Sequence, residues 1–358
     1  MKILLLGEMS GLHMTVKEGL QELGYDVKLA ANGDKWKKIP GADMPLYLQA
    51  QGRSFLNKFQ NYVIAPACDK RFSGYDVVQM VGTGIFPWFA GYLPITNIFK
   101  RNKKVFTCAA GDDYWQYASW KKGRIEYENY FYENNKRIRK AHSKYRLSSV
   151  IGDGICRRIT RDVEGIIPCI PFEYEIAYSD FPNVKPAVFL PVNTDKIKYK
   201  ENTVRDNKII FFHGINRTED KGSAYIIEAM NNIKKRYSND VECIIDGKMP
   251  YQEYIELMKK VNVVIDQCRG LGYGMNALIA MAEGKVVFTG AEESVVSNME
   301  GECPLVNIRA SVKQIEKSME SVIERKKAIS EIGYNSRIYA EENHNYIKIA
   351  QNYIDTWK

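Results

Sequence analysis

What most constrains this chain is a recurring unit in its sequence: a short run of consecutive apolar residues that ends at glycine or a polar turn and leads into a helical pattern. The first example is Ile3 to Leu6, closed by Gly7. Val16, Leu20 and Leu23 then recur at helical spacing, Gly24 supplies a left-handed cap, and Tyr25-Asp26-Val27 opens another strand. An unbroken apolar run is the pattern of a strand covered on both faces, as in a parallel sheet, and strand, helix, strand in that order predicts a right-handed βαβ unit. Further strands are expected at Val77 to Val81 and Lys104 to Cys108, ending in the turns Gly82-Thr83-Gly84 and Ala109-Ala110-Gly111-Asp112-Asp113. Ligand chemistry in open parallel sheets sits at such carboxyl ends.

The alternation repeats in the second half. Lys208 to Phe212, Val241 to Ile245, Val261 to Asp266 and Lys285 to Thr289 read as strands, with helices at Ser223 to Tyr237, Tyr251 to Lys260 and Met275 to Glu283. A chain of 358 residues suits two such domains at roughly 150 residues each. The expected division is a first domain over residues 1–182, a linker over 183–207 that carries Pro186 and Pro191, and a second domain over 208–338. A last helical pattern, Tyr339 to Trp357 within residues 339–358, has no strand after it and is expected to pack back across the first domain.

Charge is divided unevenly between the halves. Residues 1–190 hold 27 Lys+Arg against 19 Asp+Glu, and residues 191–358 hold 24 against 24, so the whole net charge of +8 belongs to the first half. Arg101, Lys103 and Lys104, then Lys121 through Arg146, carry much of it, which fits an anionic membrane surface or a phosphate-bearing acceptor on that domain, or simply a solvated face. No helix-turn-helix, RNP or zinc-finger spacing is present, so no nucleic acid partner is expected. The seven cysteines are odd in number and never form a Cys-x-x-Cys pair, which predicts reduced thiols in a cytoplasmic protein. Met1-Lys2 is followed by only four apolar residues before Gly7, too few for the h-region of a signal peptide, so export is not expected. The uncharged stretch Val77 to Phe99 is long enough to span a bilayer, but its three glycines, two prolines and Gln79 argue against a transmembrane helix. A membrane-apposed loop at Phe86-Pro87-Trp88-Phe89 is the lesser reading of this stretch.

Two ordered motifs in the second half carry a family resemblance. His213-Gly214-Ile215-Asn216-Arg217-Thr218-Glu219-Asp220-Lys221-Gly222-Ser223 resembles the phosphate loop of family-four glycosyltransferases, in which a strand ends in glycine and an Arg…Lys-Gly pair precedes a helix. Val264-Ile265-Asp266-Gln267, Gly272-Tyr273-Gly274 and Ala277 through Val287 resemble the same family's second signature, a Tyr-Gly turn opening a helix that ends in Met-Ala-x-Gly-Lys-x-Val. The strong match covers roughly residues 208–290. The resemblance implies a GT-B fold, two Rossmann-like domains facing a cleft with a helix crossing back to the first. It also implies transfer of a sugar from a nucleotide-sugar to a glycan or lipid-linked acceptor, as in bacterial surface-polysaccharide assembly, usually with retention and with no metal. The expected location is cytoplasmic or peripheral at the inner membrane face.

The chemistry of those residues supports the same role. A nucleoside diphosphate leaving a sugar gathers negative charge on its outer phosphate, and cations or oriented N–H groups must stabilise it there. Arg217 offers a forked contact and Lys221 a compact charge, the pair being the alternative to a surface couple bracketing Glu219 and Asp220. Gly214, Asn216, Gly222, Gly272, Tyr273, Gly274, Met275 and Asn276 are the remaining candidates around the nucleotide, the glycines allowing close backbone approach or an ordinary loop turn. The family's Glu-x7-Glu acids fall at Leu271 and Ile279 here, so both carboxylates are missing. Asn276 or Glu283 could hold ribose in their place, although Glu283 reads equally as a solvent-facing residue at a helix end.

In the first domain, Gly111-Asp112-Asp113 resembles the Gly-x-Asp turn that faces the acceptor in these enzymes, with Asp112 the catalytic candidate; the alternative is an Asp pair capping the helix that starts near Tyr114. Gly11 and His13 are expected to border the same region, and the aromatic stretch Tyr114 to Tyr132 reads as core ahead of sugar stacking. No clustered His or Asp ligands accompany the phosphate loop, so neither metal nor cofactor is expected. Gly7 to Gly11 is spaced Gly-x-x-x-Gly, not the dinucleotide fingerprint, which argues against a dehydrogenase. The missing acids leave a catalytically silent nucleotide-binding or scaffold subunit as the alternative function.

Overall fold

The computed structural model of the protein describes residues 1–34, 39–48, 54–86, 90–111, 113–124, 151–215, 221–247 and 251–358. Asp112, Asn216 and Arg217 lie outside the described residues, as do 87–89 of the aromatic loop and 125–146 of the second basic cluster. Two compact units divide the described chain, the first made of residues 1–191 and 346–358, the second of Val192–Asn345.

The first unit holds β1 (Lys2–Leu6), β2 (Asp26–Ala30), β3 (Val77–Val81), β4 (Lys104–Ala109) and β5 (Gly165–Pro168) in one parallel sheet, ordered β2-β1-β3-β4-β5. Ile3, Leu4, Leu5 and Leu6 are all fully buried, as a strand covered on both faces demands, each contributing on the order of 1.5–3 kcal/mol by leaving water. The helices of this unit are α1 (Leu12–Glu22), α2 (Tyr92–Arg101), α3 (Tyr114–Lys121), α4 (Ile151–Asp162) and α5 (Glu173–Tyr178), with short helical turns between Phe55 and Phe72. The proline-bearing segment after α5 lies along the sheet edge: Val184 bridges Ile166, and the amides of Lys185 and Val188 donate to Ile166 and Pro168 at 2.9 Å.

The second unit repeats the plan with β6 (Ile209–Gly214), β7 (Val241–Asp246), β8 (Val263–Ile265), β9 (Val286–Thr289) and β10 (Val306–Asn307), parallel and ordered β10-β9-β8-β6-β7. Among its described residues the longer helices are α6 (Ser223–Arg236), α7 (Tyr251–Met258), α8 (Met275–Ala282), α9 (Val312–Glu324) and α10 (Ile329–His344), with short helical turns at Glu293–Val296 and Lys326–Ala328. One apolar core joins Phe211, Val263 and Phe288 of the sheet to Ile226, Met230 and Ile233 of α6 and to Ile315 and Met319 of α9. Asn202, before β6, exchanges side-chain bonds with Asn262 ahead of β8, so the segment following residue 191 is already part of this unit.

The last helical pattern is two helices. α10 ends at His344, Asn345 is extended at φ −54°, and α11 (Tyr346–Trp357) follows. The break comes from pairing: the Val192 amide donates to the His344 carbonyl at 2.7 Å, and Val192 bridges Asn345. α10 stays with the second unit, whereas α11 belongs to the first and buries Ile349, Tyr353 and Trp357 there. Trp357 Nε1 donates to Gln79 Oε1 on β3 at 3.0 Å. α1 presses so close to α11 that a methyl at Gly19 would lie 2.2 Å from the Tyr346 carbonyl oxygen. None of the seven cysteines forms a disulfide. Among the described residues no helix is long and apolar enough to cross a membrane.

Candidate functional site

In the second sheet β6 is followed by β7 on one side, while β8, β9 and β10 build out on the other, so the direction of winding reverses between β6 and β8. The carboxyl ends of those two strands form the switch point at which such sheets bind ligands. His213 and Gly214 end β6, Asp266 follows β8, and α6 begins beside them.

His213 ties these pieces together. Its Nδ1–H donates to the Ile265 carbonyl at 2.7 Å, which leaves Nε2 to accept from Ser223 Oγ at 2.8 Å, because a carbonyl can only accept. Burial pushes the imidazole pKa down to about 4, so the ring is neutral at ordinary pH. Lys221 lies beside it and donates from Nζ to Asp266 Oδ1 at 2.6 Å, with side-chain exposures of 6% and 4% for the two partners. The turn Lys221-Gly222-Ser223 is fixed from a third side by Cys268, whose amide donates to the Lys221 carbonyl at 2.9 Å and whose thiol reaches the Gly222 carbonyl at 3.4 Å. Gly222 has φ +70°, and a Cβ there would sit 2.5 Å from Cys268 Sγ, so only glycine fits. The result is a rigid helix start carrying one buried ammonium.

The second signature forms the neighbouring loop. Gln267 Nε2 donates to the Gly272 carbonyl at 3.0 Å, and a Cβ on Gly290, just past β9, would collide with the Gly270 carbonyl oxygen at 2.0 Å. Gly274 caps α8 in an extended conformation with open space where its Cβ would be, and Asn276 on the first turn is exposed. Met275 is buried. Tyr273 turns inward: its hydroxyl is 2.9 Å from His344 Nε2 and 3.0 Å from Met299 Sδ, so it supports the loop from behind. Glu283 is not brought to this cluster. It ends α8 about 12 Å from the Gly274 end by helical rise, beside Lys285, whose ammonium donates to the Val261 carbonyl ahead of β8. At the positions of the family's two acids, Leu271 is buried and Ile279 half-buried. The carboxylate that sequence reasoning missed is Asp266, legible only as an acid directly after an apolar strand.

In the first sheet the reversal falls between β1 and β3. Gly7 has φ +83° and lies so near β3 that a Cβ would meet Val81 at 2.6 Å. The amides at the start of α1 are already satisfied by an internal anion: Glu8 Oε1 accepts from Gly11 N and Oε2 from Met14 N, both at 2.8 Å. Burial raises the Glu8 pKa while those bonds oppose the rise. His13 is fully buried, donates from Nδ1 to the Gly7 carbonyl at 2.9 Å, and leaves Nε2 with no hydrogen-bond partner among the described residues. Burial lowers its pKa to about 4. Gly111 approaches this turn, since a Cβ on it would lie 2.6 Å from Met9 Cε, and its amide donates to Tyr174. Asp113 accepts from the Trp115 and Gln116 amides at 2.8 and 3.1 Å, from Thr83 Oγ1 at 3.2 Å and from the Tyr178 hydroxyl, so its carboxylate caps α3. Burial pushes its pKa up against those bonds. Trp115 packs edge-on to Phe181 at 4.7 Å, both half-buried. Among the described residues no three His, Cys, Asp or Glu side chains converge as metal ligands would.

Two doubly wound parallel sheets of five strands, with a last helix returning to the first, make this a GT-B fold. Solved structures match it over the whole chain. HepE of Anabaena, in complex with UDP and glucose, is 12% identical at a TM-score of 0.62, covering 99% of each chain. Sucrose-phosphate synthase from Thermosynechococcus elongatus is also 12% identical at 0.62, covering 100% of this chain and 98% of its own. UDP-GlcNAc 2-epimerase from Neisseria meningitidis, bound to UDP-GlcNAc, is 13% identical at 0.56, covering 99% of each. At these identities the likeness is one of fold. No protein-family model matches the chain, and no curated protein matches it either.

Proposed function

We propose that the protein is a glycosyltransferase that moves a sugar from a nucleotide-sugar to a glycan or lipid-linked acceptor in bacterial surface-polysaccharide assembly. The observation that carries this reading is the buried Lys221 ammonium at the β6/β8 switch point, on a turn held by three separate contacts. The two motif resemblances support it, as does the fold shared with HepE bound to UDP and glucose. In this reading Lys221 and Arg217 stabilise the departing phosphate, the α6 and α8 amides add oriented N–H groups, and no metal is needed. Retention follows the family's usual course, the leaving phosphate assisting deprotonation of the acceptor. The first unit would receive the acceptor, with the Gly11 and Met14 amides at the start of α1 held by Glu8.

The test is a panel of UDP-, GDP- and dTDP-sugars incubated with the full chain and followed by NMR for nucleoside diphosphate release, with Arg217→Ala and Lys221→Met beside it. Release with one donor, lost in both variants, is expected. Conversion of the donor sugar into its C2 epimer with no release would overturn the reading. The apolar Leu271 and Ile279 favour a second reading, a silent nucleotide-binding subunit, which predicts binding without turnover of any donor.

The membrane component of the proposal draws on exposed apolar residues in the first unit. Phe55 and Leu56 are 71% and 76% exposed, Phe59 is exposed as well, and Lys58 lies among them. Apolar side chains beside a cation suit the headgroup boundary of an anionic bilayer at the inner membrane face. Co-sedimentation with vesicles containing phosphatidylglycerol should fall several-fold in Phe55→Ser/Leu56→Ser and should be absent with neutral vesicles.

A further inference from the structure

We infer that Asp266 is a positioning residue, the built-in counter-ion of Lys221, which aims the ammonium at the phosphate and weakens its grip so that the cleaved nucleoside diphosphate can leave. The inference deepens the proposed function and rests on it. Lys221 and Asp266 are each about 95% buried and share a bond of 2.6 Å, so the pair is neutral where it meets a ligand. An ammonium has three N–H groups, and among the described residues only Asp266 accepts from this one, which leaves the others for an anion. Of the flanking groups, Arg269 runs its side chain past Gly222 and sets its guanidinium over the Tyr225 ring, and the other two carry no charge. His213 is neutral and committed to Ile265 and Ser223, and Cys268 bonds to backbone carbonyls.

Two opposing effects follow from that geometry. Without a carboxylate the ammonium would be isolated in a poorly solvated site, so Asp266 balances its charge and fixes its direction. The same carboxylate repels whatever the ammonium attracts. A phosphate about 3 Å from Nζ and about 6 Å from the carboxylate keeps roughly half of the Coulomb attraction that a lone lysine would give. A fully uncompensated cation in so dry a place would hold the cleaved diphosphate and slow turnover. Asp266 is the only buried carboxylate in this cluster of described residues, and neither Leu271 nor Ile279 supplies another negative charge.

The deciding experiment measures binding of inorganic pyrophosphate to the full chain by calorimetry at two salt concentrations, for the natural protein, Asp266→Asn and Asp266→Ser. Both replacements keep an acceptor for Nζ and remove the charge, and the smaller serine covers the case in which asparagine does not fold. About tenfold tighter binding with a steeper salt dependence is expected. With the sugar donor found in the panel, KM and kcat should fall together, because product now leaves slowly. Unchanged or weaker pyrophosphate binding in the folded variants would mean that the carboxylate does not weaken the ammonium's grip, and would overturn the inference while leaving the proposed function intact. Failure of the natural protein to bind pyrophosphate or any nucleoside diphosphate would remove both.

Discussion

Lys221 and Asp266 share one bond and are almost wholly buried, and their replacements separate stability from binding. Lys221→Met strands a buried carboxylate and should cost about 3–5 kcal/mol in urea unfolding. Adding Asp266→Leu to it should recover most of that loss without restoring any anion affinity. His13 and His213 make a second prediction. Each has a folded pKa of about 4 against an ordinary 6.5, so as pH falls below about 6.5 the unfolded chain takes up protons first. Stability from these two groups is constant above that value and declines between about pH 6.5 and 4, on the order of 3 kcal/mol for each imidazole. Urea midpoints across this range should show a shallower slope in His213→Gln than in the natural protein. That Lys221 stands just ahead of a helix was legible from the Lys-Gly-Ser turn. Asp266 was not, because its partner is 45 positions away and only the folding of β6 against β8 makes them neighbours.

At the scale of elements, β1 to β4 and β6 to β9 were legible as apolar runs closed by turns, even though β2 and β7 keep exposed residues in the fold. β5 and β10 were not, having only four and two residues, too few for a period to show. The split between α10 and α11 was hidden for a different reason. The helical pattern runs unbroken through Asn345, and the extended peptide there is imposed by Val192 from more than 150 positions away. The Gly-Asp-Asp turn left two roles open, and the geometry gives Asp113 the cap of α3. Asparagine caps as well as aspartate, so Asp113→Asn should change stability by less than about 1 kcal/mol, whereas Asp113→Ala should lose about 1–2 kcal/mol. Thermal melts of the two variants check this. A large activity loss in the stable asparagine form would instead assign the carboxylate a chemical role.

Across the whole molecule, the two units are unequal in how their chain is arranged. The second is essentially continuous over Val192–Asn345, but the first needs residues 346–358 to cover α1 and β3. Expressed alone, 192–345 should give a cooperative melt by circular dichroism. Residues 1–191 alone should not, and a peptide spanning 345–358 added in trans should restore a folded signal. The uneven charge follows the same division and was visible in the sequence, since the positive excess of the first half lies with the unit that the membrane proposal concerns.

The return of α11 also sets a schedule. During synthesis the opening βαβ of the first unit leaves the ribosome with the groove beside Gly19 bare, and it stays bare until the entire second sheet has been made. The portion translated earliest is thus the portion sealed latest. A stall or frameshift anywhere downstream would expose an unfinished sheet to chaperones and proteases, so the cell is never left with a stable first half of the molecule.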